Sequence, residues 1–163
     1  MPSVSFEEFL IWKKKQLSKG GDQQSFAVLL DCIGGLSASD LNLMSINLEG
    51  KLHLKKKLEF LESVWHDHLL NSCPIQYLCG ITFWRDLKLK VTKKVLIPRP
   101  ETELIVDIVF NIFRRKSEKL FFAELGTGSG AISIALALAY PSSDGVATDI
   151  DQDALEIATK NFL

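Results

Sequence analysis

The segment that most constrains the fold of this chain is 124–131, with the sequence Glu-Leu-Gly-Thr-Gly-Ser-Gly-Ala. It follows the apolar run 120–123 and precedes the apolar-periodic segment 132–139, a pattern that predicts a tight turn between a β-strand and an α-helix. Because glycine lacks a Cβ, the alternating glycines of this turn can adopt positive φ and admit a ligand close to the backbone. The N–H groups that open the following helix would face that ligand, so the segment predicts a cofactor-binding loop.

A carboxylate at a suitable distance supports this interpretation. The segment Gly145–Asp149 predicts a second strand, and Asp149 follows Gly126 by 23 positions, near the ~20-residue spacing at which an acid reaches the ribose hydroxyls of a bound nucleotide. Two adenosine-containing cofactors fit such a unit. With Ala131 in the third small position the loop satisfies the dinucleotide pattern, whereas its alternating glycines and the preceding Glu124 resemble the first motif of S-adenosylmethionine-dependent methyltransferases. A strand-to-helix connection without any ligand is the remaining alternative.

Residues 1–75 predict a small N-terminal helical bundle, because their apolar side chains recur at three- and four-residue spacing between glycines. The predicted helices cover Ser5–Trp12, Ser25–Ile33, Ser39–Met44 and Leu52–Leu70. Ser3 or Ser5 would cap the first of them. In the last, His66 and His68 would point about 200° apart around the helix axis, so this pair predicts no metal site.

Residues 76–98 predict a β-hairpin linker. Leu87, Leu89 and Val91 alternate with polar residues, and they follow the β-prone segment Ile81–Trp84. Beyond the hairpin, two prolines force an extended run before a further helix. That helix is expected to turn one apolar stripe inward, made of Leu104, Ile105, Ile108, Val109 and Ile112.

The composition is typical of an intracellular protein. Of its 163 residues, 47% are hydrophobic and 24% charged, and the formal net charge of −1 provides no basic field for binding nucleic acid. The apolar stretch Phe9–Trp12 is too short for a signal or a membrane-spanning segment. Its cysteines, Cys32, Cys73 and Cys79, form an odd set with irregular spacing, which argues against a disulfide framework. We therefore expect a cytoplasmic protein without membrane or nucleic-acid partners.

The final segment, 151–163, opens with an acidic N-cap but carries no C-cap signal. A doubly wound domain needs several parallel strands covered on both faces, and only two strands of that kind can be counted here. The expectation is therefore that the sequence represents one small domain and the beginning of another.

Three motifs together give a specific resemblance. Pro74–Gly80, Val95–Glu103 and Glu124–Ala131, at their observed spacing, resemble the release-factor glutamine N5-methyltransferases. The resemblance implies an α plus α/β fold: an N-terminal helical bundle for substrate recognition (1–75), the β-hairpin linker (76–98), and the first part of a Rossmann-like class I S-adenosylmethionine-dependent methyltransferase domain (99–163). It implies methyl transfer from S-adenosylmethionine to the glutamine of the Gly-Gly-Gln motif of peptide-chain release factors, by a protein that is monomeric when intact.

The resemblance also implies roles for individual residues. The cofactor-binding set is Gly126, Thr127, Gly128, Ser129, Gly130 and Asp149. Glu124 would support the loop from the end of the strand. Four residues would lie near the incoming glutamine and are called the substrate strip below: Arg99, Pro100, Glu101 and Thr102. For Arg99 and Glu101, a salt bridge that locks the linker is an equally weighted alternative.

No catalytic residue can be assigned from the resemblance. The family's Asn-Pro-Pro-Tyr motif, which orients the glutamine amide, does not occur in residues 1–163. An amide nitrogen is a poor nucleophile because its lone pair is delocalised, so it needs such acceptors. We therefore expect the chain as given to be inactive. The alternatives are a non-catalytic remnant that binds a release factor and a fragment of a nicotinamide-dependent oxidoreductase.

Overall fold

The computed structural model describes residues 1–37, 39–42, 50–113 and 119–163, and the described chain is a mixed α/β protein. It divides into two compact units, Met1–Cys79 and Gly80–Leu163. The division places the hairpin segment in the second unit. The helix expected over Ser39–Met44 runs into residues outside the described ranges.

The first unit is mainly helical. Its elements are β1 (Ser3–Ser5), α1 (Phe6–Leu17), α2 (Gln23–Leu29), a π-helical turn (Leu30–Gly34), β2 (Lys51–His53), α3 (Leu58–Asn71) and α4 (Ile75–Cys79). The predicted cap of α1 is confirmed, since the Ser5 Oγ accepts a hydrogen bond from the Glu8 N–H at 3.2 Å. Helix α2 is capped in the same way by Asp22, whose Oδ1 accepts from the Ser25 N–H at 2.8 Å.

The expected helix over Leu52–Leu70 is wrong in its first part. Residues Lys51–His53 form a strand instead, which pairs antiparallel with Ser3–Ser5 so that Val4 lies opposite Leu52. Leu52 and Leu54 are buried while their neighbours are exposed, which is the period-2 pattern of a strand. The stronger helical periodicity after Lys57 masked this short alternation in the sequence.

Aromatic rings fill the core of the first unit. The ring centroids of Trp12 and Phe26 lie 5.6 Å apart. The rings of Phe26 and Trp65 pack edge to face, with their centroids 4.8 Å apart. The indole Nε1–H of Trp65 donates to the Gln16 carbonyl oxygen at 3.3 Å, so this large ring is buried without leaving its polar atom unpaired. The helical segments predicted around these residues are therefore packing elements.

The second unit contains the hairpin and a parallel strand pair. Its elements are β3 (Ile81–Trp84), β4 (Leu87–Lys90), a 3₁₀ turn (Pro100–Thr102), α5 (Glu103–Ile112), β5 (Phe121–Leu125), α6 (Ala131–Ala139), β6 (Asp144–Thr148) and α7 (Gln152–Phe162). The predicted hairpin is confirmed: Trp84 pairs with Leu87 across a tight turn in which Arg85 adopts a positive φ of 50°. Strands β5 and β6 run parallel, joined through α6.

The expected inward face of α5 is wrong. Val106 is the fully buried residue of this helix, and Val109 packs partly against the same core. The other expected core residues are largely exposed: Leu104, Ile105, Ile108 and Ile112. Periodicity locates an apolar stripe on a helix, but whether the stripe is covered depends on which elements pack beside it. One face of the β5–β6 pair is exposed in the same way, at Phe121, Leu125 and Val146.

Candidate functional site

The glycine-rich loop lies at the carboxyl ends of the two parallel strands. Leu125 pairs with Thr148 as the last residue of each strand, so Gly126 and Asp149 leave the sheet at the same edge. Ligands of open α/β sheets bind at this edge. The N–H groups of Gly126 and Thr127 both donate to the Thr148 carbonyl oxygen, at 2.8 and 2.9 Å, which fixes the start of the loop on the neighbouring strand.

The loop needs glycine for its backbone conformation. Gly126, Gly128 and Gly130 have φ values of 76°, 55° and 83°, a region that costs other residues about 1–2 kcal/mol. A Cβ on Gly126 or Gly128 would meet no atom within 4 Å, so both glycines face open space where a ligand could lie. A Cβ on Gly130 would lie 3.3 Å from that of Ala158, so this third glycine packs closely against α7 rather than facing open space.

Glu124 holds the loop and the helix that follows it. Its Oε2 accepts hydrogen bonds from the Thr127 hydroxyl at 2.8 Å, from the Ser133 N–H at 3.1 Å and from the Ser133 hydroxyl. Gly130, the N-cap of α6, has no side chain with which to cap the helix. Glu124 supplies that missing acceptor from the end of β5, in addition to the support of the loop that the resemblance implied.

Asp149 connects the second strand to the middle of the loop. Its Oδ2 accepts from the Gly128 N–H at 2.8 Å, and its Oδ1 accepts from the Asp151 N–H at 3.0 Å. The backbone N–H of Asp151 and that of Gly128 together hold the pKa of the Asp149 carboxyl below its usual range, so the group is ionised at neutral pH. Each carboxylate oxygen retains a second lone pair, with which it can accept a further hydrogen bond from a ligand hydroxyl.

The loop and Asp149 line a cleft of about 370 Å³ within the second unit. This volume lies in the range of roughly 300–1,000 Å³ found for small-molecule sites. Of the residues predicted for the cofactor, the cleft is lined by Gly126, Thr127, Gly128, Ser129 and Asp149. Gly130, the N-cap of α6, does not line the cleft.

Only one residue of the predicted substrate strip lines this cleft. Thr102 does so together with Pro98, whereas Arg99, Pro100 and Glu101 are exposed outside it. The strip is held against the hairpin because the Trp84 Nε1–H donates to the Arg99 carbonyl oxygen at 3.0 Å. Within the described ranges, no ion pair joins Arg99 to Glu101, so the alternative of a locking salt bridge is not supported.

Some residues of the cleft were not identified from the sequence. Lys94 and Leu96 line it from the segment after β4, and Asp151 lines it from the N-cap of α7. Lys94 forms an ion pair with Asp153 at 2.7 Å, which ties this segment to the first turn of α7. Lys94 belongs to no motif, and Leu96 lies in the segment Val95–Glu103 that carries the resemblance but was given no role there.

The arrangement offers the hydrogen-bonding groups and the space that a small organic ligand needs. Over the described part of the chain, no group of His, Cys, Asp and Glu residues could hold a metal ion, and no helix is long and apolar enough to cross a membrane. The acidic Asp149 can orient the hydroxyls of a sugar, while the open glycines leave room for a chain beside them. The donors and acceptors present therefore fit a nucleoside-containing ligand.

No protein-family model matches the chain. Curated proteins with the name release factor glutamine methyltransferase are similar to it over most of its length. The one from Prochlorococcus marinus is 44% identical over 159 residues, which cover 97% of this chain and 54% of the relative. Those from Gloeobacter violaceus and Synechocystis are 34% and 36% identical over 93% and 97% of the chain, and over 52% and 55% of the relatives. The chain thus spans about half the length of the curated relatives it matches.

Proposed function

Because the chain belongs to the release factor glutamine methyltransferase family, we propose that its cleft binds S-adenosylmethionine and that the whole protein methylates release factors. The observation that carries this proposal is the shared sheet edge, where the Gly128 N–H donates to the carboxylate of Asp149. The second unit would then be the first part of a Rossmann-like methyltransferase domain, with 1–75 recognising the protein substrate and 76–98 as the hairpin linker.

Each part of the cleft has a proposed task in binding the cofactor. Asp149 would accept hydrogen bonds from the ribose hydroxyls with the lone pairs that its two backbone donors leave free. The backbone of residues 126–130 would surround the methionine end, since its glycines present no side chain there. Glu124, which also lines the cleft, would keep the loop in place through its hydrogen bonds to Thr127 and Ser133. When bound, S-adenosylmethionine supplies an electrophilic methyl group.

The proposed methyl acceptor is the side-chain amide of the glutamine in the Gly-Gly-Gln motif of a release factor. Thr102 would be the residue of the strip 99–102 that approaches it, because it lines the cleft. Arg99, Pro100 and Glu101 would contact the protein substrate around the glutamine, since they are exposed beside Thr102. The sequence contains no Asn-Pro-Pro-Tyr motif to orient the amide, so we expect the 163-residue chain to bind without transferring a methyl group.

Isothermal titration calorimetry on the 163-residue chain tests the cofactor. We expect S-adenosylmethionine to bind, and Asp149→Ala to weaken its binding by about tenfold or more, because a charge-assisted hydrogen bond contributes ~1.5–3 kcal/mol. The matched control is Asp86→Ala, which removes an exposed carboxylate of the same unit outside the cleft. Binding of a nicotinamide dinucleotide that displaces S-adenosylmethionine would instead favour the oxidoreductase alternative, and no binding of either would refute the proposal.

Interferometry with an immobilised release factor tests the protein substrate. We expect the chain to bind a release factor that carries the Gly-Gly-Gln motif, and Glu101→Lys to weaken that binding without changing calorimetric affinity for the cofactor. The control is Glu156→Lys on α7, also an exposed acid. Equal binding of the release factor by the unaltered chain, Glu101→Lys and Glu156→Lys would argue against substrate contact by the strip 99–102.

A further inference from the structure

All the hydrogen-bonding groups of the Asn161 side chain are engaged by the backbone of two other segments. Its Oδ1 accepts from the Lys90 N–H at 2.7 Å, and its Nδ2 donates to the Lys90 carbonyl oxygen at 3.0 Å. The same Nδ2 also donates to the Ser129 carbonyl oxygen at 2.9 Å. A primary amide has one acceptor oxygen and two donor hydrogens, so this side chain is fully matched to its surroundings.

The contact with Lys90 imitates a neighbouring β-strand. Lys90 is the last residue of β4, and its N–H and C=O both bond to the one side chain, as they would to a residue on a paired strand. An aspartate or leucine of similar size could not do this, because neither can donate a hydrogen bond. The two contacts with Lys90 therefore need a side chain that both accepts and donates a hydrogen bond, as an amide does.

The contact with Ser129 reaches the cofactor loop itself. Ser129 is 3% exposed, so its carbonyl group would be left without a partner in a buried place if the amide were removed. Glu124 holds the loop at Thr127, and Asp149 holds it at Gly128. The Asn161 side chain holds the next residue of the loop, Ser129.

Asn161 also holds the end of β4, from which a wall of the cleft continues. The segment that follows Lys90 supplies Lys94 and Leu96 to the lining. Asp153 at the other end of α7 holds Lys94 through an ion pair at 2.7 Å. Helix α7 is thus attached to this wall at both of its ends, and through Asn161 it joins the wall to the loop.

We propose that Asn161 is a positioning residue that sets the cofactor loop against the end of β4 and thereby raises the affinity of the cleft for its nucleoside-containing cofactor. This inference rests on the proposed function for the affinity, but the position of the loop can be measured without any ligand.

Two variants of the 163-residue chain separate the donor and acceptor functions of Asn161. Asn161→Asp keeps the oxygen that faces the Lys90 N–H but loses both donors, whereas Asn161→Ala loses all three contacts. The control Gln152→Glu adds the same negative charge to the same helix at an exposed position outside the cleft. Amide exchange at Ile134 in each variant reports whether the second unit remains folded.

NMR of the unliganded chains is the first measurement. We expect the Gly130 amide resonance, which belongs to the same peptide group as the Ser129 carbonyl, to shift upfield in both Asn161 variants. The Lys90 amide should exchange faster in Asn161→Ala and stay protected in Asn161→Asp. An unchanged Gly130 resonance in both variants would overturn the inference, whether or not the chain binds a cofactor.

Calorimetry with S-adenosylmethionine is the second measurement. We expect both Asn161 variants to bind about tenfold more weakly than the unaltered chain while Ile134 stays protected, and Gln152→Glu to bind normally. Equal affinity in the unaltered chain and both Asn161 variants would overturn the inference and leave the proposed function intact. No binding by the unaltered chain would refute the proposed function, and the Gly130 resonance would then decide on Asn161 alone.

Discussion

Replacing Glu124 with alanine should destabilise the second unit far more than an ordinary half-exposed glutamate would. The change removes the acceptor of three hydrogen bonds, from the Thr127 hydroxyl and from the N–H and hydroxyl of Ser133. Loss of the helix cap at Ser133 costs about 1 kcal/mol. Thr127 and Ser133 are 5% and 1% exposed, and a hydroxyl left unpaired in such a place costs roughly 1–3 kcal/mol. A hydroxyl that rotates to another acceptor avoids part of this cost. We therefore expect the free energy of unfolding of the second unit to fall by about 2–4 kcal/mol in total.

Native-state hydrogen exchange measures this loss of stability in the second unit. Tryptophan fluorescence would mix the two units, because Trp12 and Trp65 lie in the first and Trp84 in the second. Exchange at the amides of α6 reports the free energy of opening for the second unit alone. Glu124→Gln, which keeps one acceptor oxygen, should lose less than half as much stability. A loss below about 0.5 kcal/mol for Glu124→Ala, the level of an ordinary surface substitution, would refute the reasoning.

Three further changes have definite expected outcomes. Asp22→Ala removes the N-cap of α2 and should lower the free energy of unfolding of the first unit by about 1 kcal/mol, measured by amide exchange. Gly145→Ala places a Cβ 2.3 Å from the Phe122 ring and should cost the second unit about 1–3 kcal/mol in urea titrations. Asp149 has a pKa lowered by the Asp151 N–H and by a loop N–H, so its stabilising effect is present above about pH 4 and is lost as the pH falls further. Asp149→Asn should therefore make the acid dependence of stability shallower.

Each of these outcomes has a contrary result. Asp22→Ala with unchanged exchange in α2 would mean that the cap contributes nothing. Gly145→Ala with full stability would mean that the Phe122 ring moves aside without cost. If Asp149→Asn retained the acid dependence of the unaltered chain, another carboxyl would have to carry it.

The sequence predicted the parts of the fold whose signals are local. The glycine-rich turn between Phe121–Leu125 and Ala131–Ala139 was predictable because glycine spacing and apolar runs reflect the backbone conformation directly. The hairpin was predictable for the same reason, since Leu87 and Leu89 alternate with lysines. The strand Lys51–His53 was missed because three residues of alternation are too short to compete with a neighbouring helical pattern.

Features that depend on distant partners could not be predicted. The exposure of Ile105 and Ile108 depends on which elements lie beside α5, and periodicity does not contain that information. Asn161 lies 71 positions from Lys90, and its side chain bonds to backbone groups that every residue possesses. No pattern of residue types could therefore have indicated the contact. The supporting role of Glu124 was implied by the family resemblance, and its hydrogen-bond partners lie within nine positions of it.

The most direct test of the account is to locate the cofactor by NMR on the 163-residue chain. S-adenosylhomocysteine, which lacks the reactive methyl, should be titrated while the backbone amides are followed. We expect the largest shifts at Gly126, Gly128 and the segment 149–151, and none in the aromatic core around Trp65. Saturable shifts confined to the first unit, or no shifts at all, would contradict the claim that the shared edge of β5 and β6 is a cofactor site.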